Sequence, residues 1–310
     1  MKISVIIPAY NAESTIKRAI DSILAQSRPA DEIIVIDDGS SDNTAEIVRK
    51  YGDVIHYFYQ KNTGLSGAMN YGIEKARGDW IGFLDADDEW LPELVQSHIE
   101  LIDKNPEVKW TYCRHEEVTQ NGHLQVQIPP AIEEEIERYG FLSYFYGAMA
   151  GFYFGKCGFL IRRSVFDDLG NFDSAMPNGM DRDMWRRIAL RYPRVAVCGE
   201  VRWRYYRDNA GSLSQKGAGS RDPQLKSLCR NMRRAIELGP DAVKEYLPYA
   251  RMMVMDDLIL EAGAGCFISP ETIEDAKNLF NLTVRERALL RVLKLLPKPV
   301  ASKVASRLSL

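Results

Sequence analysis

The feature that most constrains the fold is a set of three short apolar runs, each followed by a polar loop. The runs are residues 3–7, 33–36 and 80–84, and they lead into the strings P-A-Y-N (8–11), D-D-G-S (37–40) and D-A-D-D (85–88). Between the first two runs, apolar residues recur at helical spacing from Ile16 to Leu24. This alternation of strand and helix predicts an α/β fold with a Rossmann-like, mostly parallel sheet flanked by helices.

The same patterns predict elements further along the chain. Helices are expected over residues 43–51, 66–76 and from Pro92 to Lys104, and strands over 54–59 and 108–113, whereas residues 115–139 are polar and poorly patterned. From about Pro223 the chain becomes helical. A Gly239-Pro240 break, a Ser269 cap before Pro270 and a capping box at Thr283 and Glu286 divide this part. We therefore expect a separate C-terminal helical extension.

Composition excludes several classes of protein. The chain has 310 residues, 45% of them hydrophobic, which suffices for a full core. A net charge of -3 provides no basic field, so we expect no nucleic-acid partner. The five cysteines are scattered and lack C-x-x-C spacing, which argues against a zinc site or a disulfide framework. No apolar signal segment or membrane span is evident, so the sequence predicts a cytoplasmic protein.

The three polar loops predict a common site. In sheets of this kind, ligands bind outside the carboxyl ends of the strands, so the loops at 9–11, 37–40 and 85–88 should converge on one crevice. Clustered carboxylates such as Asp85, Asp87 and Asp88 suit Mg²⁺ or Mn²⁺, which prefer oxygen ligands and bind together with phosphates. The alternative for these acids is a solvated loop, or a cap for the helix after Pro92. No G-x-G-x-x-G string follows Ile7, which disfavours a dinucleotide-dependent dehydrogenase.

Several strings in order resemble the inverting glycosyltransferases of family 2. They are V-I-I-P-A-Y-N (5–11), I-D-D-G-S (36–40), N-T-G-L-S (62–66), A-M-N-Y-G-I (68–73), F-L-D-A-D-D (83–88), L-I-R-R (160–163), G-N-F-D (170–173) and M-D-R-D-M-W (180–185). The match covers roughly the first two thirds of the chain. It implies a GT-A fold and a nucleotide-sugar donor. It also implies a nucleotide-sugar-binding half at residues 1–115, an acceptor-binding half at 116–215 and the helical extension at 216–310.

The resemblance also implies roles for individual residues. Those that would hold or border the nucleotide are Ala9, Tyr10, Asn11, Asp38, Asn62, Gly64, Ala68 and Asp85. Asp85 and Asp87 match the D-x-D pair, with Asp87 the expected direct ligand of Mn²⁺ or Mg²⁺, and Asp181 matches the catalytic base. A bound cation stabilises charge on the leaving diphosphate, and a carboxylate base takes the proton of the attacking hydroxyl. Asp37 is expected to bond loop amides instead.

The chain also departs from the family pattern. Met180 stands where an acid is usual, Met69 replaces a common Arg, and Asn209 stands where many relatives carry His. Arg207 and Asn209 are candidate phosphate or acceptor contacts, with a surface ion pair as the alternative for Arg207, and Trp185 is a candidate platform beneath the acceptor.

A basic amphipathic helix near the C-terminus has two interpretations. Arg287, Arg291 and Lys294 share its polar face. The helix either contacts the inner face of a membrane peripherally or packs on the protein with this face in water.

The implied activity is transfer of a sugar, expected from a UDP-sugar, to a hydroxyl of a glycan or lipid-linked acceptor in surface polysaccharide assembly. The rival is a non-catalytic scaffold protein that retains the nucleotide pocket, and Met180 and Asn209 are its evidence.

Overall fold

The computed structural model describes residues 1–207, 221–264, 268–283, 285, 286 and 289. These residues form two compact units. The first comprises residues 1–175 with 191–207, and the second comprises residues 176–190 with the described residues from 221 onward.

The first unit contains a single sheet built from all the strands of residues 1–207. The strands are β1 (Ile3–Ala9), β2 (Glu32–Asp37), β3 (His56–Tyr59), β4 (Trp80–Phe83), β5 (Glu89–Trp90), β6 (Trp110–Thr119), β7 (Gly122–Gln125), β8 (Phe141–Ser143), β9 (Phe159–Arg162) and β10 (Arg194–Tyr206). The helices of this unit are α1 (Ile16–Leu24), α2 (Thr44–Arg49), α3 (Gly64–Lys75), α4 (Leu94–Lys104), α5 (Pro130–Tyr139), α6 (Tyr144–Met149) and α7 (Ser164–Leu169).

The strand order of the main path is β3-β2-β1-β4-β9-β6-β10-β5, with β7 beside β6 and β8 beside β10. Strands β1, β2, β3 and β4 pair in parallel, as do β6 and β10. Strand β9 runs antiparallel between β4 and β6. Strand β1 lies between β2 and β4 and runs parallel to both. The loops that follow these three strands therefore leave the sheet at the same end.

Burial explains why the first elements form where the sequence predicts them. All seven residues of β1 are buried, as expected for a central strand covered on both faces. In α1, the helically spaced Ile16, Ala19, Ile20 and Ile23 are buried together with Ser22, whereas Leu24 at the end of the helix is 42% exposed. Each fully buried isoleucine contributes roughly 1.5–3 kcal/mol relative to an exposed one. The apolar periodicity therefore has a direct energetic basis.

Residues 115–139 contain more structure than the sequence predicts. Strand β6 continues to Thr119, pairs with β7 as a hairpin, and is followed by α5. The pattern is weak because α5 buries only Ile132 and Ile136, and β7 has no fully buried residue. Strand β6 is held by its long parallel pairing with β10, more than eighty residues away along the chain. Local periodicity carries little information about such a contact.

The second unit is helical in its described part. Its helices are α8 (Met180–Arg191, of which Arg191 belongs to the first unit), α9 (Asp222–Leu238), α10 (Pro240–Ala264) and α11 (Pro270–Leu279). The predicted break at Gly239 separates α9 from α10, and Gly239 has φ +110°. The Ser269 hydroxyl accepts a hydrogen bond from the Thr272 N–H, which confirms the predicted cap. Thr283 and Glu286 exchange the two hydrogen bonds of a capping box.

None of the helices in the described part of the chain has both the length and the apolar character that a membrane span requires.

Candidate active site

The loops after β1 and β2 are hydrogen-bonded to each other. The Asn11 N–H donates to the Ser40 hydroxyl (2.9 Å), and the Asn11 side-chain oxygen accepts from the Ser41 N–H (2.8 Å). The Asp38 N–H donates to the Ala9 carbonyl (2.8 Å). Asn11 adopts φ +48°, a left-handed conformation that asparagine tolerates better than most residues. The structure thus brings together two of the three predicted loops.

Asp38 joins these loops to the start of α3. Its carboxylate is almost fully buried and accepts from the Gln60 side chain (2.6 Å) and from the N–H groups of Thr63 and Gly64 (2.9 Å each). A carboxylate at this end of a helix satisfies N–H groups that have no partner within the helix. Asp38 therefore has a structural task here, and its predicted contact with a nucleoside stays a prediction.

The other predicted nucleotide residues lie around this junction. Asn62 is exposed and its side-chain oxygen accepts from the Gly64 N–H (3.2 Å), while Ala68 is buried in α3. Gly64 has φ +81°, a conformation that favours glycine. Tyr10 is 55% exposed, so its ring is available to a ligand at the edge of the sheet.

Asp37 holds its own loop, residues 37–40, through hydrogen bonds. It is fully buried, and its carboxylate accepts from the Ser40 N–H (2.8 Å) and from the Tyr57 hydroxyl (2.6 Å). The expected bond to a loop amide is present. The two adjacent acids therefore both hold backbone in place, Asp37 within its own loop and Asp38 across to α3.

The acid loop, residues 85–88, begins beside the end of β1. The Leu84 N–H continues the pairing by donating to the Ile6 carbonyl (3.0 Å). Within the loop, Asp88 is buried and accepts from the Tyr206 N–H (3.1 Å) and the Cys157 thiol (3.3 Å). Burial raises the pKa of Asp88 well above its usual range, and the nearby charges of Asp85 and Asp87 raise it further.

A short turn, Lys156–Gly158, packs against the acid loop. The Lys156 ammonium contacts the Asp85 carboxylate, and the Cys157 sulfur accepts from the Asp85 N–H (3.3 Å). The Trp90 indole N–H donates to the Cys157 carbonyl (2.9 Å) and fixes the turn. Sequence reasoning missed this turn. The available signal was a charged residue, Lys156, inside the apolar stretch 152–161.

Arg18 of α1 contacts the acid loop from another direction. Its guanidinium donates to the Asp87 carbonyl and lies 3.6 Å from the centre of the Tyr206 ring. The Tyr206 hydroxyl in turn donates to Glu89 (2.7 Å). The acid loop is thus held by side chains of Arg18 and of the Lys156–Gly158 turn and by the backbone N–H of Tyr206, which favours a fixed geometry over a solvated loop.

The donor atoms of this region fit a hard divalent cation. One ligand atom each from Asp85, Asp88 and Cys157 lies within 4.8 Å of the others. Carboxylate oxygens suit Mg²⁺ or Mn²⁺. The Cys157 thiol does not, because burial raises its pKa well above the usual value and keeps it protonated as a donor to Asp88. The compact group contains Asp88 instead of Asp87, so the direct role predicted for Asp87 stays a prediction.

The predicted base, Asp181, lies in the second unit in the first turn of α8. It is partly exposed, and its carboxylate accepts from the adjacent Arg182 N–H (2.8 Å). Met180 before it is buried. Trp185 on the same helix is fully buried. Its ring therefore packs within the described residues, and the predicted role as a platform beneath the acceptor stays a prediction.

Asp183, two residues after Asp181, is enclosed. It is 2% exposed and accepts hydrogen bonds from Arg187 (2.9 Å), Ser227 (2.5 Å) and Asn231 (3.2 Å). These contacts join α8 to α9. Of the two acids in this string, Asp181 is the accessible one, which is a requirement for a base that must reach a substrate.

Arg207 follows β10 and donates to the Glu117 carboxylate (3.0 Å). This contact is the ion pair that the sequence offered as one alternative. The contact between Arg207 and a phosphate stays a prediction. Asn209 lies outside the described residues, as do Arg287, Arg291 and Lys294 of the basic helix.

Comparison with known proteins identifies the family of the chain. The model of the family described as "Glycosyl transferase family 2" matches residues 4–170. An uncharacterized glycosyltransferase of Rickettsia typhi is 35% identical over 64% of this chain and 62% of its own length. A protein of Bacillus subtilis named as a putative teichuronic acid biosynthesis glycosyltransferase, TuaG, is 38% identical over 32% of this chain and 41% of its own. The chain therefore spans less than two thirds of these relatives.

Solved structures share the fold at low sequence identity. Staphylococcus aureus TarS in complex with UDP-GlcNAc superposes with a TM-score of 0.70 and 18% identity, covering 99% of this chain and 90% of that one. A mannosyltransferase of Pyrobaculum calidifontis in complex with GDP-Man and Mn²⁺ gives a TM-score of 0.62 at 18% identity, covering 98% and 84%. The predicted fold class, an α/β GT-A-like fold with a C-terminal helical extension, is confirmed. The family model covers more than half of the sequence, and the chain belongs to glycosyl transferase family 2.

Proposed function

We propose that the protein is a metal-dependent inverting glycosyltransferase that moves a sugar from a nucleoside diphosphate, most simply UDP, to a hydroxyl of a surface glycan or its lipid-linked precursor. The observation that carries the proposal is the acid group of Asp85 and Asp88, which follows β4, the strand that pairs in parallel with β1. The metal-bound and nucleotide-sugar-bound neighbours support it, as does the teichuronic acid relative.

Within this proposal, residues 1–115 form the nucleotide-sugar-binding half, residues 116–215 the acceptor-binding half, and residues 216–310 an extension. The nucleoside binds against the exposed ring of Tyr10, where the hydrogen-bonded loops after β1 and β2 meet the start of α3. Rigid loops of this kind position a ligand without a further loss of conformational entropy. Asp38 contributes by holding the α3 terminus as well as by any contact of its own.

The acid group would hold Mn²⁺ or Mg²⁺ through the oxygens of Asp85 and Asp88, with Asp87 next to them. A cation held there supplies a positive charge that stabilises the negative charge developing on the leaving diphosphate. Asp181 is the base that removes the proton from the acceptor hydroxyl as it attacks the anomeric carbon. A single base on the face opposite the leaving group means one displacement, with inversion at that carbon.

The non-catalytic scaffold remains the second candidate because of one observation. Met180, beside the proposed base, is a buried apolar side chain. The family resemblance implies a second acid at this position. A scaffold of this kind binds a nucleotide without turning it over.

Release of nucleoside diphosphate tests both candidates. The full chain is incubated with UDP-, GDP- and dTDP-sugars and with Mn²⁺ or Mg²⁺, alone and with a glycan acceptor extract. We expect metal-dependent release from one donor. Asp181→Asn should lower the rate by roughly 10²–10⁴-fold while the nucleotide still binds. Asp88→Asn should remove the dependence on the metal together with the activity.

A matched control is Asp241→Asn, because Asp241 is an exposed acid in the first turn of another helix of the second unit. It should leave the rate unchanged. Silence across all donors despite tight binding of a metal-nucleotide pair would favour the scaffold. Full activity of Asp181→Asn would exclude Asp181 as the base.

A further inference from the structure

Lys156 is a lysine held almost out of solvent beside a cluster of carboxylates. It is 8% exposed, and its ammonium contacts one oxygen of Asp85. Lysine is rarely buried without a paired charge, and ordering its long side chain costs conformational entropy. Its position is therefore a fixed part of this site.

The turn that carries Lys156 contacts the acid loop at more than one point. Cys157, the next residue, accepts from the Asp85 N–H and donates to Asp88. The carbonyl of Cys157 is bound by the Trp90 indole. The turn therefore cannot shift away from the acids without breaking several hydrogen bonds, and the lysine charge stays close to whatever the acids bind.

We propose that Lys156 is a resident counter-ion that makes the acid cluster bind a divalent cation weakly when alone and tightly when a nucleoside diphosphate is present. This rests on the proposed function. Before the nucleotide arrives, the ammonium neutralises part of the carboxylate charge and repels a second cation a few ångströms away. A diphosphate brings enough negative charge to attract both cations, so metal and nucleotide load together.

Lys156 acts in this account as a positioning residue. It contacts one oxygen of Asp85, which leaves the second oxygen of that carboxylate for the metal. A lysine with a purely structural role would change the stability of the protein when replaced, but it would not couple metal binding to nucleotide binding. Metal affinity, measured without turnover, therefore separates the two roles.

The test measures Mn²⁺ binding to the full chain from the paramagnetic resonance signal of free Mn²⁺, with and without UDP. Lys156→Met removes the charge and keeps a similar shape, Lys156→Gln removes it with a polar side chain, and Lys156→Arg retains it. Lys50→Met is the matched control, since Lys50 forms an exposed ion pair with Glu46. Circular dichroism establishes that each variant is folded.

We expect Lys156→Met to bind Mn²⁺ about tenfold more tightly than wild type in the absence of UDP, and the tightening that UDP produces to shrink by a similar factor. Lys156→Gln should show the same two changes as Lys156→Met. Lys156→Arg and Lys50→Met should have the Mn²⁺ affinity of wild type, with and without UDP. Folded neutral variants with wild-type or weaker Mn²⁺ affinity would overturn the inference while leaving the proposed function intact. A wild-type protein that takes up no Mn²⁺ even with UDP would overturn both.

Discussion

Replacing Asp183 should lower the stability of the second unit and leave donor turnover unchanged. Replacing Asp181 should do the reverse. Asp183 and Arg187 form a buried ion pair, with side chains 3% and 6% exposed. The same carboxylate also accepts from Ser227 and Asn231 on α9. Asp183→Ala would remove the carboxylate that Arg187, Ser227 and Asn231 share.

The size of the effect follows from this burial. Removing one partner of a buried ion pair costs roughly 3–5 kcal/mol, because the remaining charge is uncompensated. We therefore expect Asp183→Ala to lower the free energy of unfolding by about that amount. Asp183→Asn keeps the shape and one acceptor oxygen, so about half the loss is expected. Asp181→Asn, at a partly exposed position, should change stability by less than about 1 kcal/mol.

The loss should also depend on pH. Burial raises the pKa of Asp183, but the Ser227 hydrogen bond and the charges of Arg187, Arg230 and Arg186 outweigh it and leave the pKa below its ordinary value. A carboxylate with a lowered folded-state pKa stabilises the protein above its unfolded pKa of roughly 4, and the contribution disappears as the pH falls through the folded value. The difference between wild type and Asp183→Asn should be constant from neutral pH down to mildly acidic pH and shrink below about pH 4.

Urea unfolding followed by circular dichroism measures these differences, with donor turnover measured on the same samples below the transition. The expected pattern is a large stability loss with normal turnover for Asp183→Asn, and the reverse for Asp181→Asn. A catalytically dead Asp183→Asn of wild-type stability would refute this division of labour. A double replacement with Arg187→Ala that costs the sum of the two single effects would show that the ion pair is not coupled.

Two further predictions concern the first unit. Gly39 has φ +83°, and a Cβ there would lie 2.9 Å from the Asn62 nitrogen, so Gly39→Ala should lower stability by about 1–3 kcal/mol in thermal unfolding and weaken UDP binding. A variant with unchanged Tm and affinity would contradict this. A hydrogen bond from Cys113, together with the Arg202 charge, lowers the pKa of Cys198 to about 7 despite partial burial. Iodoacetamide should therefore label Cys198 before Cys157, and the rate of labelling of Cys198 should rise with pH through 7. Mass spectrometry of the digested protein measures the order of labelling. Equal labelling of the two cysteines would contradict the prediction.

Much of the local structure could be predicted from the sequence. The apolar periodicity of α1, the break at Gly239 and the cap at Ser269 depend on residues within one or two turns of each other, and all three were confirmed. The order of the motif strings also predicted the family. Local signals of this kind are read correctly because the interactions that produce them are local.

Elements held by distant contacts could not be predicted in the same way. Strand β9 sits antiparallel between β4 and β6, and the second half of β6 depends on β10. Trp185 was expected at a ligand and is fully buried. An aromatic residue in a helix can face either the core or a substrate, and only the packing of other elements decides which.

The sequence by itself determined the set of carboxylates, because Asp85, Asp87 and Asp88 come directly after a strand and their spacing is a property of the chain. What only the tertiary structure decided is which charges and donors surround them. Lys156 is 71 residues from its partner Asp85, and Tyr206 is 118 residues from Asp88. Electrostatic interactions depend on distance in space and on burial, and neither quantity is a property of spacing along the chain.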